Sequence, residues 1–105
     1  MTYRVRFTPQ AQMDLERLFD FIIERELSRA TGDLDIAERA IAAIRAGIET
    51  LRTSPFTCRK AGENPFLREL LIPFGASGYV ALFEIASGQD IIIAAVRHQL
   101  EQDYR

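Results

Sequence analysis

The pattern of hydrophobic and polar positions divides the chain into strands and helices, and its clearest stretch lies near the end. Ile91 to Val96 form a continuous apolar run, rich in β-branched residues and far too short to span a membrane. This run predicts a strand inside a sheet, covered on both faces. Arg97 and His98, the only histidine of the chain, follow it directly. The most versatile acid–base group is therefore expected where the most buried strand reaches the surface.

The first residues predict a strand followed by a helix. Tyr3, Val5 and Phe7 alternate with arginines, which is the period of a strand with one apolar face. Thr8-Pro9 is typical of a helix start, because threonine caps free N–H groups and proline has no N–H to lose. Apolar residues at spacings of three and four then continue to about Leu27, where the first helix is expected to end.

A second helix should pack against the first as an antiparallel hairpin. Thr31-Gly32-Asp33 is a turn cluster, and Asp35 with Glu38 resembles a capping box that opens a helix near Ile36. Its apolar residues step by four, three, four and three positions, the seam of a helix packed on its predecessor. Pro55 follows the end of this helix.

The second half predicts three consecutive strands. The segment 56–65 is polar and aperiodic and is expected to be a loop, and strands are expected at 67–73, 79–85 and 90–98. Short links favour an antiparallel meander. The fold class is therefore α+β, with the order β-α-α-β-β-β. We expect the N-terminal strand and helical hairpin to pack on a mainly antiparallel four-stranded sheet, within a single domain over residues 1–105.

Composition narrows the classes of function. The formal charge is −2 and the pI about 5.4, so the general attraction to phosphate of a nucleic-acid-binding protein is missing, which argues against RNA as the main partner. The N-terminus has no apolar leader, and a cytoplasmic protein without a membrane span is expected. Cys58 and His98 alone cannot build a tetrahedral metal site. Neither a metal nor a cofactor is therefore expected.

No self-sufficient catalytic signature is present, and the glycine-rich run 75–78 precedes a strand, so it should be a hairpin turn. What remains is a cationic set in the second half of the chain: Arg59, Lys60, Arg68, Arg97 and His98. If these positions meet, they form one small positive patch. Arginines could hold a phosphate there and a histidine could move a proton, as a ribonuclease requires.

A purely structural reading of the same residues is also open. His98 can simply finish its strand, and Arg68 can pair across strands with a glutamate such as Glu84. Tyr79 and Tyr104 can be packing residues with a solvated hydroxyl. Cys58 can be a small loop residue.

The whole chain resembles the toxins of the RelE/ParE superfamily of bacterial toxin–antitoxin modules. The resemblance lies in the order of several degenerate motifs: Ala11-Gln12-Met13-Asp14-Leu15, the Leu51 to Pro55 boundary, Arg68-Glu69-Leu70, Gly78 to Glu84, and Val96-Arg97-His98, with Glu101 and Tyr104 after them. It implies the α+β fold given above. It also implies a cognate antitoxin whose flexible segment folds over the sheet and the hairpin, giving a hetero-oligomer.

The resemblance implies one of two activities. RelE-like members cut mRNA in the ribosome, and the catalytic residues would then be Arg68, Arg97 and His98. ParE-like members, known from plasmid stabilisation, inhibit DNA gyrase by binding it and hydrolyse nothing themselves. The residues expected to contact the target would then be Arg25, Glu26, Arg29, Arg59, Lys60 and Tyr104.

Two features favour the ParE-like activity. The arginine that commonly follows the tyrosine of the third strand in the family is Val80 here, and the dense basic surface of ribosome-dependent members is missing. The acidic pI and the charged hairpin tip fit a toxin that binds a protein. A third alternative is an inactive module that keeps only antitoxin binding, and Val80 leaves this alternative open.

Overall fold

The computed structural model describes residues 2–100. Its elements are β1 (Arg4–Phe7), α1 (Pro9–Leu27), α2 (Asp35–Glu49), β2 (Arg59–Lys60), β3 (Leu67–Phe74), β4 (Ser77–Ala86) and β5 (Asp90–His98), with short 3₁₀ turns at Thr50–Arg52, Pro55–Thr57 and Ser87–Gln89. The α+β class, the helical hairpin and the antiparallel β3–β4–β5 meander are confirmed. Within residues 2–100, no helix is long and apolar enough to cross a membrane.

The sheet has five strands in the order β1-β5-β4-β3-β2. The additional strand is β2, whose two residues pair with Glu69 and Arg68 of β3 inside the segment predicted to be a loop. Two residues give no periodicity, so the sequence pattern could not reveal this strand. β1 lies at the opposite edge and runs parallel to β5, with Val5 opposite Ile91.

The two helices cover one face of the sheet, and the other face of β5 is covered only in part, at the buried Ala95, so the prediction of cover on both faces holds only in part. β5 lies between β1 and β4, and its Ile91, Ile93 and Val96 are buried in the helix-facing core. Ile92 and Ala94 are only partly buried. An apolar run therefore indicates an interior strand but does not reveal whether one layer or two cover it.

A β-bulge at Ala94 changes which residues of β5 face the helices. Ile93 and Ala95 have neighbouring partners on β4, which leaves Ala94 between them without one. The helix side supplies the missing bonds: the Thr8 hydroxyl donates to the Ala94 carbonyl (3.2 Å), and the Asp14 carboxylate accepts from the Val96 N–H (2.9 Å). The start of α1 therefore fixes the backbone just before Arg97 and His98.

The two helix starts differ from each other. Thr8 caps α1 as predicted, because its hydroxyl accepts from the N–H three residues on, at 3.1 Å. The predicted capping box of α2 is wrong: the N-cap is Leu34, which gives no side-chain cap, and Asp35 is already helical. Asp33 instead accepts the Asp35 N–H at 2.9 Å, so the preceding turn satisfies a free donor of the helix.

Candidate functional site

The strand register separates the predicted cationic residues into two groups. Arg68 lies opposite Phe83, whereas His98 lies opposite Tyr79. Phe83 and Tyr79 are four residues apart on β4, which corresponds to about 13 Å along the strand. Arg68 and His98 are also on strands that are not neighbours. The condition for one common cationic patch, that these positions meet, is therefore not fulfilled, because antiparallel pairing puts the start of β3 and the end of β5 at opposite ends of the sheet.

At the first end, Arg68 holds the loops around it together. Its guanidinium donates to the carbonyls of Pro65 (2.7 Å), Phe56 (3.1 Å) and Cys58 (2.8 Å), and its Cζ lies 5.2 Å from the centre of the Phe56 ring. The expected pairing with Glu84 is not among its contacts in the described residues, because Glu84 lies opposite the preceding residue of β3. Arg68 therefore serves backbone groups rather than a carboxylate.

The other predicted cations at this end are exposed. Arg59 donates to Glu69 at 3.0 Å, and Lys60 lies beside it on the edge strand.

Cys58 is partly buried, and burial raises the pKa of its thiol. A thiol with a raised pKa is a weaker nucleophile at neutral pH, in line with a structural role for Cys58.

At the second end, the imidazole of His98 is held on both sides. Its Nδ1 accepts the Leu100 N–H (3.1 Å), so the proton of the neutral ring sits on Nε2, which lies 2.9 Å from the Ser77 hydroxyl. The Tyr79 ring packs edge-on against it, with ring centres 5.5 Å apart. A substrate would have to displace one of these bonds before His98 could exchange a proton with it.

Arg97 points away from His98, because neighbouring residues of a strand face opposite sides of the sheet. Its partner in the register is the buried Val80 on the face without helices. Its guanidinium donates to the carbonyls of His98 (3.2 Å) and Gln99 (3.4 Å). Arg97 and His98 therefore do not act on one side of the sheet.

A cleft of about 470 Å³ opens beside His98, between α1, the start of β4 and the end of β5. Among the described residues, its lining combines apolar and cationic side chains: Arg17, Leu18, Phe21, Ile22, Arg25, Tyr79, His98 and Leu100. Burial raises the pKa of the Tyr79 hydroxyl, which stays protonated at neutral pH. The hydrophobic pattern of the sequence did not predict this cleft. Phe21, a large apolar residue outside the helix-packing stripe and 60% exposed, was the signal that could have indicated it.

The tip of the helical hairpin is organised around Glu26, which is only 3% exposed. Its carboxylate accepts from the Asp33 N–H (3.0 Å), Arg25 Nε (2.9 Å) and Arg29 Nη1 (3.4 Å). The bond from the Asp33 backbone, helped by the two arginines, lowers the pKa of Glu26. The carboxylate of Glu26 therefore has an internal role, and its expected contact with the target stays a prediction. Arg25 and Arg29 remain exposed beside it.

Acidification should weaken the hairpin tip. A carboxyl group whose folded pKa is lowered stabilises the protein above its ordinary pKa, here 4.5, and this contribution disappears as the pH falls from that value towards the folded pKa. We therefore expect the free energy of unfolding to fall more steeply in the wild type than in Glu26→Gln as the pH drops below about 4.5. Urea unfolding at several pH values measures this, with the exposed Glu24→Gln as the matched control. Parallel pH profiles for all three proteins would contradict the prediction.

Tyr104, predicted to contact the target, and Glu101, part of the resemblance, lie outside the described residues. Within residues 2–100, no group of three or more histidine, cysteine or carboxylate side chains is placed to hold a metal ion.

Comparison with known proteins identifies the class. The profile described as "ParE toxin of type II toxin-antitoxin system, parDE" matches residues 5–103. Among curated proteins, Toxin RelE1 of Caulobacter vibrioides is 31% identical over 97% of this chain and 99% of its own, and Toxin RelE3 of the same organism is 33% identical over 93% and 96%. Two solved structures share the fold. The chromosomal ParDE system of P. aeruginosa has a TM-score of 0.70 at 18% identity, covering 92% of this chain and 96% of the other.

The second solved structure is the toxin–antitoxin complex RelBE2 of Mycobacterium tuberculosis, with a TM-score of 0.59 at 19% identity over 94% of this chain and 100% of the other. Fold, profile and relatives together define a toxin of the RelE/ParE superfamily. The chain belongs to the ParE toxin family of type II toxin–antitoxin systems.

Proposed function

We propose that this toxin acts by binding a protein, DNA gyrase, in the cytoplasm, and that it does not hydrolyse RNA. The observation that carries the proposal is the separation of Arg68 from His98, together with the opposite facing of Arg97. A nuclease needs its phosphate-holding and proton-transferring groups around one scissile bond. Here the guanidinium of Arg68 is bound to backbone carbonyls and the ring of His98 is bound on both sides.

An mRNA endoribonuclease is the second candidate function. It is supported by the names of the curated relatives, RelE1 and RelE3, which match nearly the whole chain. In that function, His98 would be the proton-transferring residue and Arg97 and Arg68 the phosphate-binding residues, assembled by a rearrangement on the ribosome. An inactive module that only binds an antitoxin is the third.

A gyrase supercoiling assay tests the proposal. The purified chain should abolish supercoiling of a relaxed plasmid, and His98→Ala should inhibit to the same extent, within about twofold, because His98 is not a catalytic group in this proposal. Lost inhibition after heat treatment of the protein serves as the control for contaminants. A folded chain with no effect on gyrase, and cleavage of mRNA on translating ribosomes that His98→Ala removes, would establish the second function. No effect of the folded chain in either assay would support the third function, an inactive module that only binds an antitoxin.

We further propose that a cognate antitoxin binds the chain as a hetero-oligomer. The proposal is supported by the two solved structures, one titled a ParDE system and the other a toxin–antitoxin complex. It is also supported by the sheet face without helices, where Leu71 is 45% exposed. An antitoxin segment laid on this face would bury that apolar surface.

Target contacts are proposed at the exposed cations. Arg25 and Arg29 stand at the hairpin tip, and Arg59 and Lys60 stand on the edge strand at the far end of the sheet. Tyr104 is kept as a proposed contact from the sequence alone.

A further inference from the structure

We propose that the outer edge of β1 is a docking site for an extended acidic segment of a protein partner, which joins the sheet as a sixth strand. β1 lies at the opposite edge of the sheet from β2 and pairs with β5 on its inner side. The inference rests on the proposed function in one respect, since it takes the chain to act through protein partners. It adds a surface and a ligand chemistry to that function.

The backbone of β1 offers hydrogen-bonding groups on its outer side. Thr8 donates its N–H to a carbonyl of β5 (3.0 Å), and successive residues of a strand turn their backbone groups to opposite edges. The N–H and C=O groups of Val5 and Phe7 therefore point away from β5, and within residues 2–100 they have no hydrogen-bond partner. Before them, the N–H of Tyr3 is taken by the carbonyl of Arg52 (2.7 Å). The open part of the edge thus runs from Val5 to Phe7, where an extended peptide can pair.

Two arginines flank this edge on the sheet face without helices. The side chains of Arg4 and Arg6 are 72% and 64% exposed, and both donate to Asp90, at 2.9 and 2.7 Å. Two guanidinium groups thus share one carboxylate, which leaves one positive charge in excess beside the edge. Among the described residues, the next carboxylate on this face is that of Glu84, two strands or about 10 Å away from Arg6. An anionic side chain is therefore attracted to this side of the edge.

A small groove accompanies the edge on the helix side. Its volume of about 120 Å³ is close to the roughly 150 Å³ of a cavity that takes a benzene molecule, so it has room for one side chain of moderate size. Glu49 accepts from Arg52 at 2.7 Å, and Arg45 makes no ion pair within residues 2–100. This side therefore also has one positive charge in excess. The groove is lined by Val5, Phe7, Arg45, Ile48, Glu49 and Arg52.

The two sides of the edge select the sequence of the added strand. Side chains of a strand alternate between the faces of the sheet, so acidic residues of the partner would stand beside Arg4 and Arg6 while the apolar residues between them cover the groove. A second copy of β1 is a poor partner, because it would bring the arginines of both copies together. The arginines thus protect the edge from self-association and favour an acidic segment.

The residues outside the described range do not alter this charge balance. The ion pairs of the flanking arginines all lie within residues 2–100, and Met1 has no carboxylate side chain. Asp90 lies eight residues, about 26 Å, along β5 from His98, whose ring binds the Leu100 N–H. Five extended residues span at most about 17 Å, so the carboxylates of the five residues after Leu100 are too far away to reach Asp90 and its arginines.

Selection of phage-displayed peptides on the immobilised chain tests the proposal. The library holds ten-residue peptides with valine at alternate positions and glutamate, lysine or serine at the others. Glutamate should be enriched over lysine by about threefold or more at these positions. Amide hydrogen exchange, followed by NMR, then locates an enriched peptide on the chain: at saturation, the N–H groups of Val5 and Phe7 should exchange about tenfold more slowly.

Three variants measure the contribution of charge. Arg4→Gln/Arg6→Gln should weaken binding of a labelled, enriched peptide by about fivefold in fluorescence polarisation, because two charges beside it are lost. Arg45→Gln, which leaves Asp90 and its contacts intact, should weaken it by about twofold. Lys60→Gln is the matched control, since it removes an exposed charge from β2 at the opposite edge, and it should leave the affinity unchanged. Circular dichroism of each variant shows that the fold is kept.

No enrichment, equal enrichment of lysine and glutamate, equal effects of Arg45→Gln and Lys60→Gln, or slowed exchange confined to another strand would each overturn the proposal. Dimers formed through β1, detected by sedimentation, would also overturn it, because a second copy would then be the occupant. Failure here is distinguishable from failure of the proposed function, because the supercoiling assay uses gyrase and no peptide. A chain that inhibits gyrase while peptides leave the Val5 and Phe7 amides unprotected would keep the function and lose this site.

Discussion

Gly32→Ala is expected to destabilise the chain by about 3 kcal/mol or more. A Cβ at this position would lie 1.8 Å from the carbonyl oxygen of Glu26 and 2.7 Å from its carbonyl carbon. Backbone atoms cannot yield as a flexible side chain can, so the turn would have to move away from the end of α1. That movement would also break the bond from the Asp33 N–H to the Glu26 carboxylate. Urea unfolding measures the loss, and gyrase inhibition should weaken with it if the tip contacts the target.

Gly88→Ala is the matched control for this collision. Gly88 has a φ of +74°, but a Cβ there would meet open space. Its substitution should therefore cost only the left-handed backbone conformation, about 1–2 kcal/mol. A loss in Gly32→Ala that is no larger than in Gly88→Ala would show that the hairpin tip tolerates the added methyl group and is looser than its contacts indicate.

Local chemistry made the first half of the fold predictable. The Thr8-Pro9 start and the end of α1 at Leu27 follow from capping, proline geometry and helical periodicity, which act within a few residues of each other. The capping box predicted for α2 was wrong because two neighbouring residues could both cap the helix. Asp33 and Asp35 are both capping residues, and only the path of the turn decides that Asp33 makes the bond.

The sheet order and the site depend on long-range pairing, which periodicity does not encode. The alternation of β1 gives its apolar face but not its partner, which is the parallel strand β5, far along the chain. The same limit explains the cationic residues. Arg68 and His98 each lie at a strand end, but antiparallel pairing decides that these ends are opposite. The family resemblance identified the class of toxin because it depends on the order of the motifs along the chain and not on their geometry.

Glu26 shows a second limit. A charged residue near a predicted turn is exposed in most proteins. Here the turn folds back so that the Asp33 N–H and two arginines surround the carboxylate. The carboxylate is satisfied internally, which lets a charged group be buried at the tip.

Asp14→Ala is expected to destabilise the chain by about 2 kcal/mol. Asp14 is the acidic residue of the Ala11-to-Leu15 motif, and its carboxylate accepts the Val96 N–H at 2.9 Å and the Gln10 amide at 3.0 Å. Alanine would leave the Val96 N–H buried beside the β-bulge without this acceptor. Asp14→Asn should lose less, because its amide oxygen can still accept, but without the charge that strengthens the bond.

The effect of Asp14→Ala is expected to extend from α1 to the end of β5. This distinguishes it from a general loss of stability. Val96 precedes Arg97 and His98, so a relaxed bulge should shift the His98 ring against Tyr79 and change the imidazole resonances in an NMR spectrum, even under conditions where the variant is fully folded. Asp20→Ala, at an exposed position of the same helix, should change neither the spectrum of His98 nor the unfolding free energy by more than about 0.5 kcal/mol. If Asp14→Ala lowers stability and leaves the His98 resonances in place, the bond to Val96 supports α1 alone. The acidic residue of the motif would then have no part in positioning the cleft.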